Sequence, residues 1–242
     1  MNPKEFATIL AQKGIELTAQ QLQQFEQYFE LLVEWNQKMN LTAITEQEEV
    51  YLKHFYDSLM PLWLVPERFE GEVRIVDIGA GAGFPGIPLK IVQPDLQLTM
   101  VDSLNKRVTF LNEVIDQLGL THTHTVAIHA RAEDFGHDRK HREQYDISIA
   151  RAVAGLNVLA EYCLPLVRKG GYFIALKGQK AQQELEEAQG SLLKLGAKYE
   201  ESHHELLPIE ESEREILSIR KTLNTPNKYP RKAGKPTKSP LK

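Results

Sequence analysis

Hydrophobic spacing along the chain changes period near residue 73. Upstream, Leu22, Phe25, Phe29 and Leu32 recur three and four positions apart, which lines them on one face of a helix. Leu17-Thr18-Ala19-Gln20-Gln21 has the form of a capping box, with Thr18 as N-cap, Gln21 at the third helical position and Leu17 as a staple. A second helix is predicted over Gln47–Leu64, with Leu52, Phe55, Leu59 and Trp63 on one face and His54, Asp57 and Ser58 together on another. No strand is expected before residue 73.

Downstream, short apolar runs alternate with amphipathic ones. Arg74–Ile78, Gln97–Val101, Thr125–His129, Asp146–Ala150 and Tyr172–Leu176 read as strands. Val108, Leu111, Val114, Ile115 and Leu118 form a helical stripe that Gly119 ends. This rhythm predicts an α/β fold with a mostly parallel central sheet and helices on both faces. A helix over Ala181–Leu195 then leads to a closing hairpin, Lys198–Leu206 and Ile216–Thr222. The expected organisation is a helical N-terminal extension (1–70), a cofactor-binding domain (71–223) and a basic, proline-containing tail (224–242). The tail is the one segment expected to be poorly ordered.

The first strand ends in Asp77 and passes into Gly79, Gly81 and Gly83. A glycine-rich turn leaving a buried strand is a site for a nucleotide-like cofactor. Two cofactors compete. Gly81-Ala82-Gly83-Phe84-Pro85-Gly86 fits the dinucleotide fingerprint, a match that a glycine-dense run can reach by accident. S-adenosylmethionine is favoured by Asp77, which would crowd a pyrophosphate but suits a cationic cofactor. Pro85 and Pro88 also remove N–H donors that a pyrophosphate needs. Asp102, at the end of the second strand, can accept both ribose hydroxyls of either cofactor.

Charge changes the picture of partners. The formal net charge is −4, but residues 220–242 hold eight basic side chains and no acid, so the remainder carries −12. A basic arm on an acidic body suggests phosphate-backbone binding. Cys163 is the only cysteine and lies in an apolar segment, so it reads as a buried thiol, and the composition fits a cytoplasmic chain. No apolar run is long enough for a bilayer, and no signal pattern opens the chain. His122, His124, His129, His137, His141, His203 and His204 show no ligand spacing, so no metal is expected.

Each strand end carries polar chemistry: Asp77 with the glycines, Asp102-Ser103, Arg131-Ala132-Glu133, Arg151-Ala152-Val153-Ala154 and Lys177-Gly178. Ligands of open α/β sheets bind outside these ends. The amide and carboxylate near Ala132 and Glu133 can read an adenine edge.

These motifs, with Trp35-Asn36-x-x-x-Asn40-Leu41-Thr42, His54-x-x-Asp57-Ser58-Leu59 and Tyr229-Pro230-Arg231-Lys232-x-Gly234-x-Pro236, resemble the small-subunit rRNA guanine-N7 methyltransferase family, RsmG or GidB. The resemblance runs from about residue 35 to the C-terminus. It implies a class I, Rossmann-like methyltransferase that uses S-adenosylmethionine to methylate N7 of a guanine in the 530 loop of 16S rRNA, position 527. The expected cofactor set is Asp77, Gly79, Gly81, Gly83, Phe84, Asp102, Ser103, Ala132, Glu133 and Arg151. Arg151 and Lys177 are the catalytic candidates, for the target base or its phosphate. Arg131, Arg139, Arg142, Lys228, Arg231, Lys232 and Lys235 are the RNA candidates. The implied partner is 16S rRNA or the small ribosomal subunit, met by a monomer with no membrane contact. Guanine N7 is unprotonated near neutral pH, so no general base is required. His54 and Asp57, with Asn36 and Asn40, are therefore expected to order the N-terminal helices. An NAD-dependent oxidoreductase and a non-catalytic RNA-binding protein stand as alternatives.

Overall fold

The computed structural model describes residues 1–121 and 123–242; His122, weighed above as a ligand, lies outside them. The chain opens with helices α1 (Pro3–Gln12) and α2 (Ala19–Met39). The predicted capping box starts α2: the Thr18 side chain accepts from the Gln21 amide, and the Gln21 side chain accepts from the Thr18 amide at 2.9 Å. Gln21 Nε2 then donates to the Ile91 carbonyl, tying this cap to the domain below. Asn40, in the left-handed region at φ 49°, ends the helix.

The helix predicted over Gln47–Leu64 is not a single α-helix. It runs as α3 (Gln47–Val50), a π-helical turn (Tyr51–Tyr56), α4 (Asp57–Leu59) and α5 (Pro61–Leu64). The wide turn accommodates one of the densest aromatic clusters in the protein. Phe55 stands 5.0 Å from Phe25, 5.3 Å from Tyr28 and 4.9 Å from Tyr51 between ring centroids. A π-turn also shifts the helix register, and His54 and Asp57 sit on either side of its end.

Seven strands follow: β1 (Arg74–Ile78), β2 (Gln97–Asp102), β3 (Thr125–His129), β4 (Tyr145–Arg151), β5 (Val167–Lys177), β6 (Ala197–Leu206) and β7 (Glu213–Lys221). They form one sheet in the order β3-β2-β1-β4-β5-β7-β6. The first five are parallel; β7 is antiparallel to β5 and β6 to β7. Helices α6 (Gly86–Val92), α7 (Asn105–Gln117), α8 (Ala132–Phe135), α9 (Leu156–Cys163) and α10 (Ala181–Lys194) connect them. Ile75, Val76 and Ile78 are all buried, as a parallel strand covered on both faces requires. This is a Rossmann-like α/β fold with a mostly parallel sheet. The apolar cluster beneath one face is continuous from Phe6 and Phe25 through Ile75 and Leu98, so the N-terminal helices share a core with the sheet.

The tail departs from expectation: it is packed, not loose. Tyr229 is buried against the second apolar cluster. Arg142 donates to the carbonyls of Thr225, Pro226 and Tyr229, and His137 Nε2 lies 2.6 Å from the Pro230 carbonyl. Arg231 forms a two-pronged pair with the fully buried Glu161, which also accepts from the Arg231 amide. Basic composition suggested a solvated arm, but its backbone and Arg231 have partners within the fold, while its lysines stay exposed. The short helix α11 (Lys235–Lys238) closes the chain. Among the described residues no helix is long and apolar enough to cross a membrane.

Candidate functional site

The sheet order reverses at β1, where β2 lies on one side and β4 on the other. A crevice opens beyond the strand ends at such a point. The glycine turn forms its floor. Gly79 and Ala80 donate their amides to the Val101 carbonyl, Gly81 to Asp102 Oδ2, Gly83 and Phe84 to the Ala80 carbonyl, and Gly86 to Asp77 Oδ2. Six loop amides are thus committed within the protein, which leaves few to cradle a pyrophosphate. Two glycines of the dinucleotide frame, Gly83 and Gly86, also face protein. A Cβ on Gly83 would lie 2.6 Å from the Tyr28 hydroxyl, and one on Gly86 2.8 Å from Asp77 Oδ2. Only at Gly81 is the space above the turn open, the nearest atom being 3.8 Å away. The fingerprint match therefore reflects close packing and argues against a dinucleotide.

Three cavities surround the turn Arg151–Ala154 that follows β4. One, of about 270 Å³, is walled by Ile78, Val101, Ala132, Glu133 and Tyr162. The next, of about 430 Å³, runs over Gly79–Ala82 past Asp102 to Phe84, His54 and Arg151. Val153 borders both, with its side chain over Gly79. Together they suit an extended ligand with an apolar, amino-edged base at one end and hydroxyls in the middle. Asp102, 2 % exposed, stands at the centre; it accepts from the Gly81 and Leu104 amides and from Arg107. Asp77 Oδ1, fully buried, has no hydrogen-bond partner among the described residues. Burial pushes the Asp77 carboxyl up to about 7, against the opposing pull of the Gly86 amide and the Arg151 charge. An unmatched acceptor beneath this floor suits a cationic ligand.

The third cavity, about 570 Å³, lies on the other side of the same turn and is lined by Lys53, Arg151, Lys177 and Arg214 with Asp57 and Glu184. Arg151 separates it from the glycine loop. Its Nη1 bonds Asp57 Oδ2 at 2.7 Å and the Lys53 carbonyl, its Nη2 lies 3.3 Å from His54 Nδ1, and its guanidinium sits 5.1 Å from the Phe84 ring centre. Asp57 Oδ1 accepts from Arg214 Nε at 2.7 Å. Because Arg151 can only donate, His54 accepts at Nδ1 and donates from Nε2 to Thr42 Oγ1. Burial first, and the Arg151 charge second, push the imidazole down to about 3. His54 is therefore neutral with its free lone pair engaged, an arrangement that orders the helices and leaves no base. Asn36 Oδ1 accepts from the Thr42 amide and extends the same network.

The structure brings the sequence-predicted cofactor residues to one cleft: Gly79, Gly81, Phe84, Asp102, Ser103, Ala132 and Glu133 line the two smaller cavities, while Asp77 and Gly83 brace the floor. Lys177 reaches the larger cavity, with its amine on the Ala154 carbonyl and Glu184. Two RNA candidates have other duties. Arg142 is occupied by backbone carbonyls and Arg231 by Glu161, so neither guanidinium is free. Arg131, Arg139, Lys228, Lys232 and Lys235 are exposed. Sequence reasoning missed Tyr28, whose hydroxyl donates to the Ala82 carbonyl, and Arg214, which holds Asp57 from the closing hairpin. Neither has a local sequence signal, because the contacts span 54 and 157 positions.

The sequence model described as rRNA small subunit methyltransferase G, GidB, matches residues 21–215. A ribosomal RNA small subunit methyltransferase G from Listeria welshimeri is 55% identical over 241 residues and covers 100% of both chains. One from Bacillus velezensis is 54% identical, covering 100% of this chain and 99% of its own. Solved structures share the fold: the cyclase SpnF, at TM-score 0.53 and 15% identity, covers 69% of this chain and 94% of its own. The YcgJ protein of Bacillus subtilis, at TM-score 0.50 and 14% identity, covers 69% and 100%. A cyclase on this fold shows that the architecture alone does not choose the reaction.

Proposed function

As the chain belongs to the rRNA small subunit methyltransferase G family, we propose that it uses S-adenosylmethionine to methylate N7 of a guanine in the 530 loop of 16S rRNA. The observation that carries this reading is the pair of cavities on either side of the Arg151–Ala154 turn. One side is a cleft over the glycine loop, and the other is a broad pocket with four cationic side chains, each paired with a carboxylate at its edge. The cofactor supplies an electrophilic methyl group on a sulfonium centre. Asp102 would accept hydrogen bonds from its ribose hydroxyls, Glu133 and the Ala132 amide would meet its adenine edge, and Asp77 holds the loop beneath it through the Gly86 amide.

Guanine N7 presents a lone pair without losing a proton, so the protein's work is placement and electrostatics. Neutral His54 fits that requirement. Arg151, anchored by Asp57, positions the base or its phosphate at the boundary of the two cavities. Lys177 steadies the turn through Ala154 and is the second phosphate contact. The product base is cationic, so these positive groups bind O6 or phosphate and stay off the reacting nitrogen. A stacked guanine must be splayed out to reach the pocket. Residues 1–70 brace the loop, 71–223 hold the cofactor, and the exposed cations of 224–242, with Arg131 and Arg139, grip surrounding RNA. The protein acts as a cytoplasmic monomer.

Incubation with 16S rRNA and cofactor labelled in its methyl group tests the activity. Label is expected in the RNA, and no incorporation into free rRNA or 30S particles contradicts the reading.

A further inference from the structure

We propose that the C-terminal segment is part of the cofactor site, with Gly234 and Thr237 forming the outer wall of its adenine end. This rests on the S-adenosylmethionine reading above. The match to the family model stops at residue 215, while the relatives named above align over the whole chain, tail included. Gly234 and Thr237 line the same cavity as Ile78, Val101 and Glu133.

The connection is direct. The Gly234 amide donates to Glu133 Oε1 at 2.9 Å, and the Tyr162 hydroxyl lies 3.5 Å from the same oxygen. Glu133 is 6 % exposed, so the tail reaches a nearly buried acceptor. These contacts fix the carboxylate, while Oε2 accepts no hydrogen bond among the described residues and is left for a donor in the cavity. An exocyclic amino group between apolar walls is that donor, which defines the ligand end as adenine. Gly234 adopts φ +79°, a left-handed conformation that turns its amide toward Glu133 at the start of α11.

The wall is held from behind. Arg142, His137 and Glu161 anchor the five residues from Thr225 to Arg231 that they touch, just before Gly234. The segment is therefore ordered by the protein itself, and the base meets a surface already in place. Beyond Thr237 the chain returns to α10, where Lys194 binds the Lys242 carbonyl. The tail thus faces two ways: its lysines point to solvent, and its backbone closes the cofactor cavity.

The test compares the full chain with a truncation ending at Lys232, which keeps all three anchors. Each is titrated calorimetrically with S-adenosylhomocysteine and with S-inosylhomocysteine, which carries a carbonyl in place of the adenine amino group. The truncation is expected to weaken S-adenosylhomocysteine by at least about tenfold and to narrow the preference between the two ligands. Thr237→Trp in the full chain crowds the cavity without touching the anchors. It is expected to weaken the same ligand, with an unchanged urea midpoint in its absence. Affinity within twofold of the parent in both variants overturns the proposal, all the more if RNA binding alone falls. If the parent chain binds neither ligand, the cofactor reading itself fails.

Discussion

Two extensions of the chain grip the cleft from opposite ends by different physics. The N-terminal helices hold the glycine loop through an aromatic core: Phe25, Phe55 and Tyr28 pack together, and Tyr28 continues to Phe84 at 5.4 Å. The C-terminal segment holds the rim of the smallest of the three cavities almost wholly through carbonyls, carboxylates and guanidinium groups, with Tyr229 buried among apolar side chains. Burial of rings is non-directional and insensitive to salt. A mesh of charge-assisted bonds is directional and depends on each partner. The difference predicts that damage to the first end costs the fold, whereas damage to the second costs local order and ligand selectivity.

The largest effect is expected at Phe55. Phe55→Ala removes a fully buried ring and should destabilise the protein by about 3–5 kcal/mol in urea unfolding, with loss of cofactor affinity as the glycine loop loosens. Arg151→Ala removes the group between the two cavities. Methyl transfer should drop on the order of 100-fold while the fold persists, because Asp57 keeps Arg214. Glu161→Gln acts on the opposite end. Losing the charge that pairs Arg231 should cost roughly 1–3 kcal/mol and raise amide exchange in residues 225–237, with the N-terminal helices unaffected. A stability loss at Glu161 equal to that at Phe55, spread over the whole protein, would erase the contrast.

The smallest effect is a change in pH dependence. Asp77 is raised to about 7 when folded, so its contribution is full below about pH 4 and is lost as pH rises through 7. His54 is lowered to about 3, so the unfolded chain takes up its proton first and stability rises with pH between about 3 and 6.5. The two slopes oppose each other between about pH 4 and 6.5. Asp77→Asn removes the falling one, so the variant should gain stability with rising pH across that window. Urea midpoints at pH 4.5, 5.5 and 6.5 check the sign.

The two ends also differ in how legible they are. Periodicity and the Thr18–Gln21 box located α2, and the five parallel strands were read within a few residues, because local pattern dictates them. The strand-end residues Asp102 and Glu133 could be singled out because the fold class says where ligands bind, and both line the cavities there. The π-turn at Tyr51–Tyr56 was not legible, since it answers to the packing of Phe55 against distant rings. Nor was the docking of the tail: lysine and proline content suggested a solvated arm, whereas Glu161 and Arg142, some 70 to 87 positions earlier, hold it. Pairings at that separation leave no trace in local composition.

Under the proposed function, the cleft delivers a methyl group to N7 of one rRNA guanine. RNA methylated by the purified protein, then treated with borohydride and aniline to cleave at 7-methylguanosine, tests it most directly. A single new cleavage in the 530 loop of 16S rRNA is the predicted result. Label incorporated with no such cleavage, or cleavage elsewhere in the RNA, would contradict it.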